Sequence, residues 1–190
     1  MTLVHHRFAR ALAWAGLLCV ALDAFALTAV DLQHLLKANA RPSVTFEEVR
    51  ESPWLAAPAV SKGSMRMTAD GLEKRVDSPR RETWRLLADR VEWQGADGRV
   101  SQILYRQAPA LGALAGVMRR VIAGDVVALQ RDFNVELAGD EHAWRAQLIP
   151  RDAQVRSQLE SVEVQGTGGA VQVLVVVDRQ GEKTTTRLQP

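Results

Sequence analysis

A chain of 190 residues is long enough for one domain with a buried core, and its 24 basic and 22 acidic residues leave the charge close to balance. The basic residues are scattered and cluster no further than pairs such as Arg80-Arg81 and Arg119-Arg120, which argues against a nucleic-acid ligand. The only cysteine, Cys19, excludes an intrachain disulfide.

The first 26 residues have the layout of a secretory signal peptide. Arg7 and Arg10 lie in a basic start, residues 11–22 are an uncharged apolar run, and Ala24 and Ala26 fit an A-x-A cleavage site. The run is shorter than the roughly 20 residues that span a membrane, and an uncleaved anchor is the alternative interpretation. We therefore predict export to the periplasm, cleavage after Ala26, and a mature domain of residues 27–190.

The mature segment is predicted to start with a helix and to continue as a meander of strands. Thr28 and Asp31 fit a capping box, so a helix is expected over residues 31–40, before Pro42. Apolar residues then recur at every second position, in short runs separated by Pro, Gly and Asp. These runs predict six antiparallel strands with one apolar face, around residues 44–46, 65–67, 72–76, 84–86, 91–93 and 100–106.

A helix is predicted to interrupt the strands at Pro109–Ile122. It starts with a proline in its first turn, and Leu111, Leu114 and Met118 recur at helical spacing. A second short helix is expected over residues 126–131. The two-residue period then returns and predicts five more strands over residues 133–137, 144–148, 159–165, 170–178 and 183–188. The predicted fold class is mainly β, an antiparallel sheet of about eleven strands with helices at two points.

The mature sequence contains no recognisable set of catalytic residues. His34 and His142 are isolated, so neither has a second histidine at metal-ligand spacing, and no G-x-S-x-G motif is present. Residues 166–169 are glycine-rich but join two predicted strands, whereas a phosphate-binding loop leads into a helix. We therefore expect no enzyme activity, no metal and no cofactor.

The apolar residues of the predicted strands allow two interpretations. Tryptophan and methionine can line an apolar pocket, yet such residues most often belong to an ordinary core. A single meander must cover its apolar face, and Pro109–Ile122 is almost without polar residues before Arg119. This helix is therefore predicted to be a lid over a hydrophobic cavity, and a filled core is the alternative.

Several weak motifs follow one another between Phe46 and Asp178. They include Phe46-Glu47-Glu48-Val49-Arg50, Gly63-Ser64-Met65-Arg66-Met67 and Trp144-Arg145-Ala146-Gln147-Leu148. Their order resembles the LolA-like family of periplasmic lipoprotein carriers, in a divergent branch. The resemblance implies a curved half-barrel of about eleven strands with an N-terminal helix and a helical lid. It also implies a monomeric carrier and chaperone that takes lipid or lipoprotein acyl chains from an inner-membrane donor to an outer-membrane acceptor.

The residues expected to contact the acyl chains have apolar side chains on the predicted strands or on the predicted lid. The site is expected to be smooth and apolar, so that each buried methylene adds about 0.8 kcal/mol without a hydrogen bond. These residues are Phe46, Met65, Met67, Leu72, Trp84, Leu86, Val91, Trp93, Leu104, Leu111, Leu114, Met118 and Trp144.

Two features depart from the family pattern. The carriers of the general route have an arginine that latches the lid in the hairpin after the second strand, where this chain has Thr68-Ala69-Asp70-Gly71. Lys74 also stands where an aromatic residue is common. A specialised lipid is therefore an alternative cargo, and the alternative function is a non-catalytic interaction module of an envelope complex with a filled core.

Overall fold

The computed structural model describes residues 27–189, and the predicted signal peptide and its cleavage site lie outside these residues. Helix α1 spans Ala29–Ala38. The Thr28 hydroxyl accepts a hydrogen bond from the Asp31 amide, and the Asp31 carboxylate accepts one from the Thr28 amide, both at 3.2 Å. The predicted capping box is confirmed, but the helix starts two residues before the predicted one, because Thr28 itself is the N-cap.

Eleven antiparallel strands form one sheet, as predicted. In spatial order they run β6-β5-β4-β3-β2-β1-β11-β10-β9-β8-β7, so the first and last strands pair in the middle, with Phe46 opposite Leu188. This pairing joins two meanders and leaves β6 and β7 as the edges. The strands are β1 (Ser43–Glu51), β2 (Ala59–Thr68), β3 (Gly71–Ser78), β4 (Glu82–Leu86), β5 (Arg90–Gln94), β6 (Val100–Leu104), β7 (Phe133–Gly139), β8 (Trp144–Pro150), β9 (Leu159–Thr167), β10 (Ala170–Asp178) and β11 (Lys183–Gln189).

The sheet is curved and does not close. Register shifts lie between β2 and β3 at Lys62/Gly63 and between β9 and β10 at Val171/Val173, and such irregularities bend a sheet. The connection between the two edges carries helix α2, Pro109–Ile122, as predicted, and then a 3-10 helix, Val127–Arg131. Helix α2 packs against β3 and β5 and therefore covers the concave face.

Two local features differ from the sequence-based expectation. Strand β6 ends at Leu104, two residues early, because the Gln107 and Ala108 amides donate to the Leu104 and Tyr105 carbonyls and turn the chain. A one-turn helix, α3 (Ala153–Arg156), follows β8 and was not predicted. The Asp152 carboxylate caps α3 by accepting from the Gln154 and Val155 amides, at 2.8 and 3.0 Å. Among residues 27–189, no helix has the length and apolar character needed to cross a membrane.

The core has two parts, and α2 contributes to both. One part lies over β7–β10 and α1 and contains Leu32, Phe133, Trp144 and Leu148. The other lies over β1–β5 and is built from Phe46, Met65, Leu72, Val76, Leu86 and Val91. Val117 and Val121 of α2 pack into the first part, whereas Ala115 packs into the second. The two parts leave a space between them, beneath α2.

Candidate functional site

A cavity of about 480 Å³ lies between α2 and the concave face of the sheet. Leu111, Leu114 and Met118 line it from the helix, because residues three, four and seven positions apart lie on one face. The sheet contributes apolar side chains from both meanders: Trp84, Leu86, Val91, Leu159, Leu174 and Val176. The volume is within the roughly 300–1,000 Å³ range of small-molecule sites.

The tryptophan in this lining is held from two sides. Trp84 on β4 lies directly opposite Trp93 on β5, and their ring centroids are 6.0 Å apart in a tilted arrangement. The Trp84 indole nitrogen donates to the Glu82 carboxylate at 3.3 Å. Such an aromatic pair is worth about 0.5–1.5 kcal/mol beyond its buried area, so this part of the cavity wall is well supported.

The part of the sheet wall next to Trp84, here called the polar wall, is polar, since Lys74 lies opposite Trp84 in the β3–β4 pairing. Lys74 on β3 donates to both carboxylate oxygens of Glu48 on β1, at 2.8 and 2.7 Å, and the Thr186 hydroxyl donates to the same carboxylate at 2.8 Å. Only 14% of the Lys74 side chain and 19% of the Glu48 side chain are exposed. The Lys74 ammonium also lies 4.8 Å from the centroid of the Phe46 ring. Charges this deeply buried must be paired, and here each one is.

The polar wall continues into a neighbouring cleft of about 380 Å³. The two spaces share Glu48, Arg50, Lys74 and Trp84, and the smaller one extends to the turn at Arg80. Arg50 and Arg80 are exposed, so the groove reaches solvent at this end. The complete groove is therefore apolar beneath α2 and polar towards its mouth.

Six of the thirteen residues that the sequence singles out line the main cavity: Trp84, Leu86, Val91, Leu111, Leu114 and Met118. Phe46, Met65, Met67 and Leu72 belong instead to the packed core over β1–β5. Contact of any of the thirteen side chains with a ligand stays a prediction.

The other three residues do not line the cavity. Trp93 lies beside Trp84, and Leu104 is half-buried at the end of the edge strand β6. Trp144 is in the core over β7–β10, where its indole nitrogen donates to the Gly168 carbonyl at 2.9 Å. Trp144 is therefore separated from the cavity by its own packing.

Sequence reasoning missed the polar wall, although a signal for it was present. Lys74 lies two residues from both Leu72 and Val76, and Glu48 lies two residues from Phe46, so both share the inward face of their strands. The groove differs from the smooth apolar site that the sequence predicts, because these two charges pair with each other across strand β2, which lies between β1 and β3.

One family model matches most of the chain. The family model for "outer membrane lipoprotein carrier protein LolA-like" matches residues 24–189. No curated protein sequence matches the chain.

Solved structures that are similar to this chain at low identity include the following three. A LolA superfamily protein from Nitrosomonas europaea has a TM-score of 0.44 at 10% identity, over 87% of this chain and 93% of that chain. A DUF1329 family protein from Desulfovibrio piger scores 0.42 at 8% identity, over 85% of this chain and 90% of that chain. An outer membrane lipoprotein-sorting protein domain from Vibrio parahaemolyticus scores 0.42 at 13% identity, with the same coverage of 85% and 90%.

Proposed function

The chain belongs to the family of LolA-like outer membrane lipoprotein carrier proteins, and from this premise we propose that it is a periplasmic carrier of lipid acyl chains. The acyl chains, of a lipoprotein or of a specialised lipid, occupy the cavity beneath α2 during transfer towards the outer membrane. Residues 1–26 direct export and are removed after Ala26. The mature protein then acts as a monomer and without catalysis, between a donor at the inner membrane and an acceptor at the outer membrane.

The observation that carries this proposal is the cavity of about 480 Å³, lined on one side by Leu111, Leu114 and Met118 of α2. Each methylene buried there contributes about 0.8 kcal/mol, so an acyl chain binds without a directional contact and is released by opening the helix. The alternative function, an interaction module with a filled core, requires close packing at this position. The cavity therefore favours carriage.

The amphipathic lining supports a ligand that has both an acyl chain and a polar end. The chain fits the apolar part beneath α2, and the polar end fits the groove mouth near Arg50 and Lys74. A bare hydrocarbon would leave the charged wall facing an apolar ligand, which is unfavourable for buried polar groups. We therefore propose an ester- or amide-linked acyl lipid as the cargo.

The first test is the native cargo and the native N-terminus. The full chain is expressed with its own signal, purified from the periplasm and analysed by intact mass and by mass spectrometry of an organic extract. We expect a chain that begins at Leu27 and an acyl lipid that copurifies. A chain that retains residues 1–26 would contradict export with cleavage, and an extract without any lipid would count against carriage.

The second test locates the binding site. A fluorescent fatty acid is expected to accept energy from the Trp84–Trp93 pair on binding and to be displaced by lipid. Trp54 is 79% exposed and contributes background, which Trp54→Phe removes. Leu114→Asp and Met118→Asp are expected to abolish probe binding, because each places a carboxylate in the apolar part of the cavity.

The matched control is Val30→Asp, which makes the same chemical change on an exposed helical position, since Val30 is 52% exposed on α1. This variant should bind the probe as wild type does. If Leu114→Asp and Met118→Asp fold and still bind the probe normally, the acyl site beneath α2 is wrong.

A further inference from the structure

A second cleft lies on the other side of α2. It has a volume of about 600 Å³ and is lined from the helix by Gly112, Gly116 and Arg119, which occupy the face away from the main cavity. Tyr105, directly after β6, and Phe133, at the start of β7, line it from the two edges of the sheet. The cleft therefore lies where the sheet fails to close, and it shares no lining residue with the acyl cavity.

The charge of this cleft is predominantly positive. Its lining contains four arginines, Arg119, Arg120, Arg131 and Arg151, against two carboxylates, Asp132 and Asp152. Both carboxylates are already engaged. Asp132 pairs with Arg120 at 2.7 Å, and Asp152 caps α3. Within residues 27–189, the guanidinium groups of Arg119, Arg131 and Arg151 have no ion-pair partner, so the cleft keeps a surplus of positive charge.

Two hydrogen-bond donors in the cleft lining are buried and unsatisfied. The Arg119 Nε and the Tyr105 hydroxyl are both inaccessible to solvent and have no hydrogen-bond partner in the described part of the chain. An unsatisfied buried donor costs about 1–3 kcal/mol, and a small adjustment of the two side chains that lets an acceptor oxygen in the cleft reach them would recover this cost. Burial raises the pKa of Tyr105, so its hydroxyl remains protonated and able to donate.

The geometry points to a binding site for a phosphate group between α2 and the open edges of the sheet, with Arg119 and Tyr105 as its donors. A phosphate carries three acceptor oxygens and close to two negative charges, and arginine binds it with its planar fork. The cleft is open directly over Gly116, since a Cβ built there would meet no atom within 4 Å.

The test measures phosphate binding in two arms at constant ionic strength. In the first, inorganic phosphate is titrated into the mature protein by calorimetry, and the side-chain Nε resonance of Arg119 is followed by NMR. In the second, flotation is measured with vesicles of phosphatidylglycerol. Binding in the first arm identifies a soluble phosphate as the ligand, and binding in the second arm alone identifies a lipid headgroup. Either result supports the site if the binding is weakened by substitutions of the cleft residues.

The variants distinguish this site from general charge attraction. Arg119→Gln is expected to weaken binding roughly tenfold and Tyr105→Phe roughly fivefold, as expected for a charge-assisted and a neutral hydrogen bond. Arg187→Gln removes an exposed arginine of β11 and should leave binding unchanged. In the absence of phosphate, the thermal midpoint of Tyr105→Phe should be equal to or above that of wild type, because the hydroxyl that it removes has no partner among the described residues.

Gly116→Leu provides an independent steric test, since its side chain would fill the cleft and is expected to abolish binding. The proposal is overturned if neither arm shows saturable binding, or if Arg119→Gln and Gly116→Leu bind as tightly as Arg187→Gln. Its failure would leave the acyl cavity on the other face of α2 untouched.

Discussion

The two glycines of α2 are expected to respond in opposite directions to the same substitution. Alanine is about 1 kcal/mol more favourable than glycine within a helix, so helix propensity alone predicts that Gly112→Ala and Gly116→Ala both stabilise the protein. At Gly116 a Cβ meets nothing within 4 Å, and we expect the full gain of about 1 kcal/mol in the free energy of unfolding.

At Gly112 the packing opposes this gain. A Cβ there would lie 2.7 Å from Cβ and 2.9 Å from Cγ of Tyr105, and these atoms are close to the backbone and cannot swing away. Overpacking of this kind costs about 1–3 kcal/mol, so Gly112→Ala should be neutral or destabilising by up to about 2 kcal/mol. The two variants should then differ by about 1–3 kcal/mol, or several degrees in thermal midpoint for a domain of this size.

Urea unfolding followed by tryptophan fluorescence measures both variants, and an unchanged slope would show that the unfolded state is not affected. The double variant Tyr105→Gly/Gly112→Ala provides the control, because Gly112→Ala should become stabilising, relative to Tyr105→Gly alone, once the Cβ and the ring of Tyr105 are both absent. If Gly112→Ala stabilises the wild-type protein as much as Gly116→Ala does, the contact between Tyr105 and α2 does not limit this position.

Two further predictions concern polar groups. Lys74→Met should lower the free energy of unfolding by about 1–3 kcal/mol, because it leaves the Glu48 carboxylate buried without its cation. The double variant Lys74→Met/Glu48→Met should recover most of this loss in urea unfolding. Equal losses in the two variants would show that the ion pair is not the cause. Hydrogen bonds from Thr28 lower the pKa of Asp31, so the ionised Asp31 carboxylate stabilises the folded state. This stabilisation is fully present above about pH 4, where an unfolded aspartate is ionised, and is lost as the pH falls further. Asp31→Asn should therefore reduce the loss of thermal stability between pH 5 and about pH 3, and an unchanged pH profile would contradict this role.

Much of the fold could be predicted from the sequence because its signals are local. A strand with one buried face must alternate apolar and polar residues, and this alternation marked most of the eleven strands. The capping box at Thr28 and the proline at the start of α2 are equally local, since their partners lie within one turn of the chain. The one-turn helix at Ala153–Arg156 is too short to produce a hydrophobic period, and it was not predicted.

The candidate site could be predicted only in part, because alternation specifies a face of the sheet and not what covers that face. Trp84 and Trp144 both lie at strand positions that alternation marks as inward-facing. Trp84 nevertheless lines the cavity, whereas Trp144 packs over Gly166, its partner in the β8–β9 pairing. The two tryptophans differ because α1 packs over β7–β10, where Trp144 lies, whereas the part of the concave face next to Trp84 stays open.

The sequence by itself therefore determined the elements, their inward faces and the helix that covers them, since each follows from residues close together in the chain. Tertiary structure alone decided that Glu48 accepts hydrogen bonds from Lys74 and Thr186, which lie 26 and 138 residues from it along the chain. It also decided that α2 has a cavity on each side. Both outcomes depend on the pairing of β1 with β11 and on the gap between β6 and β7, and long-range pairings of this kind leave no periodic signal in a single sequence.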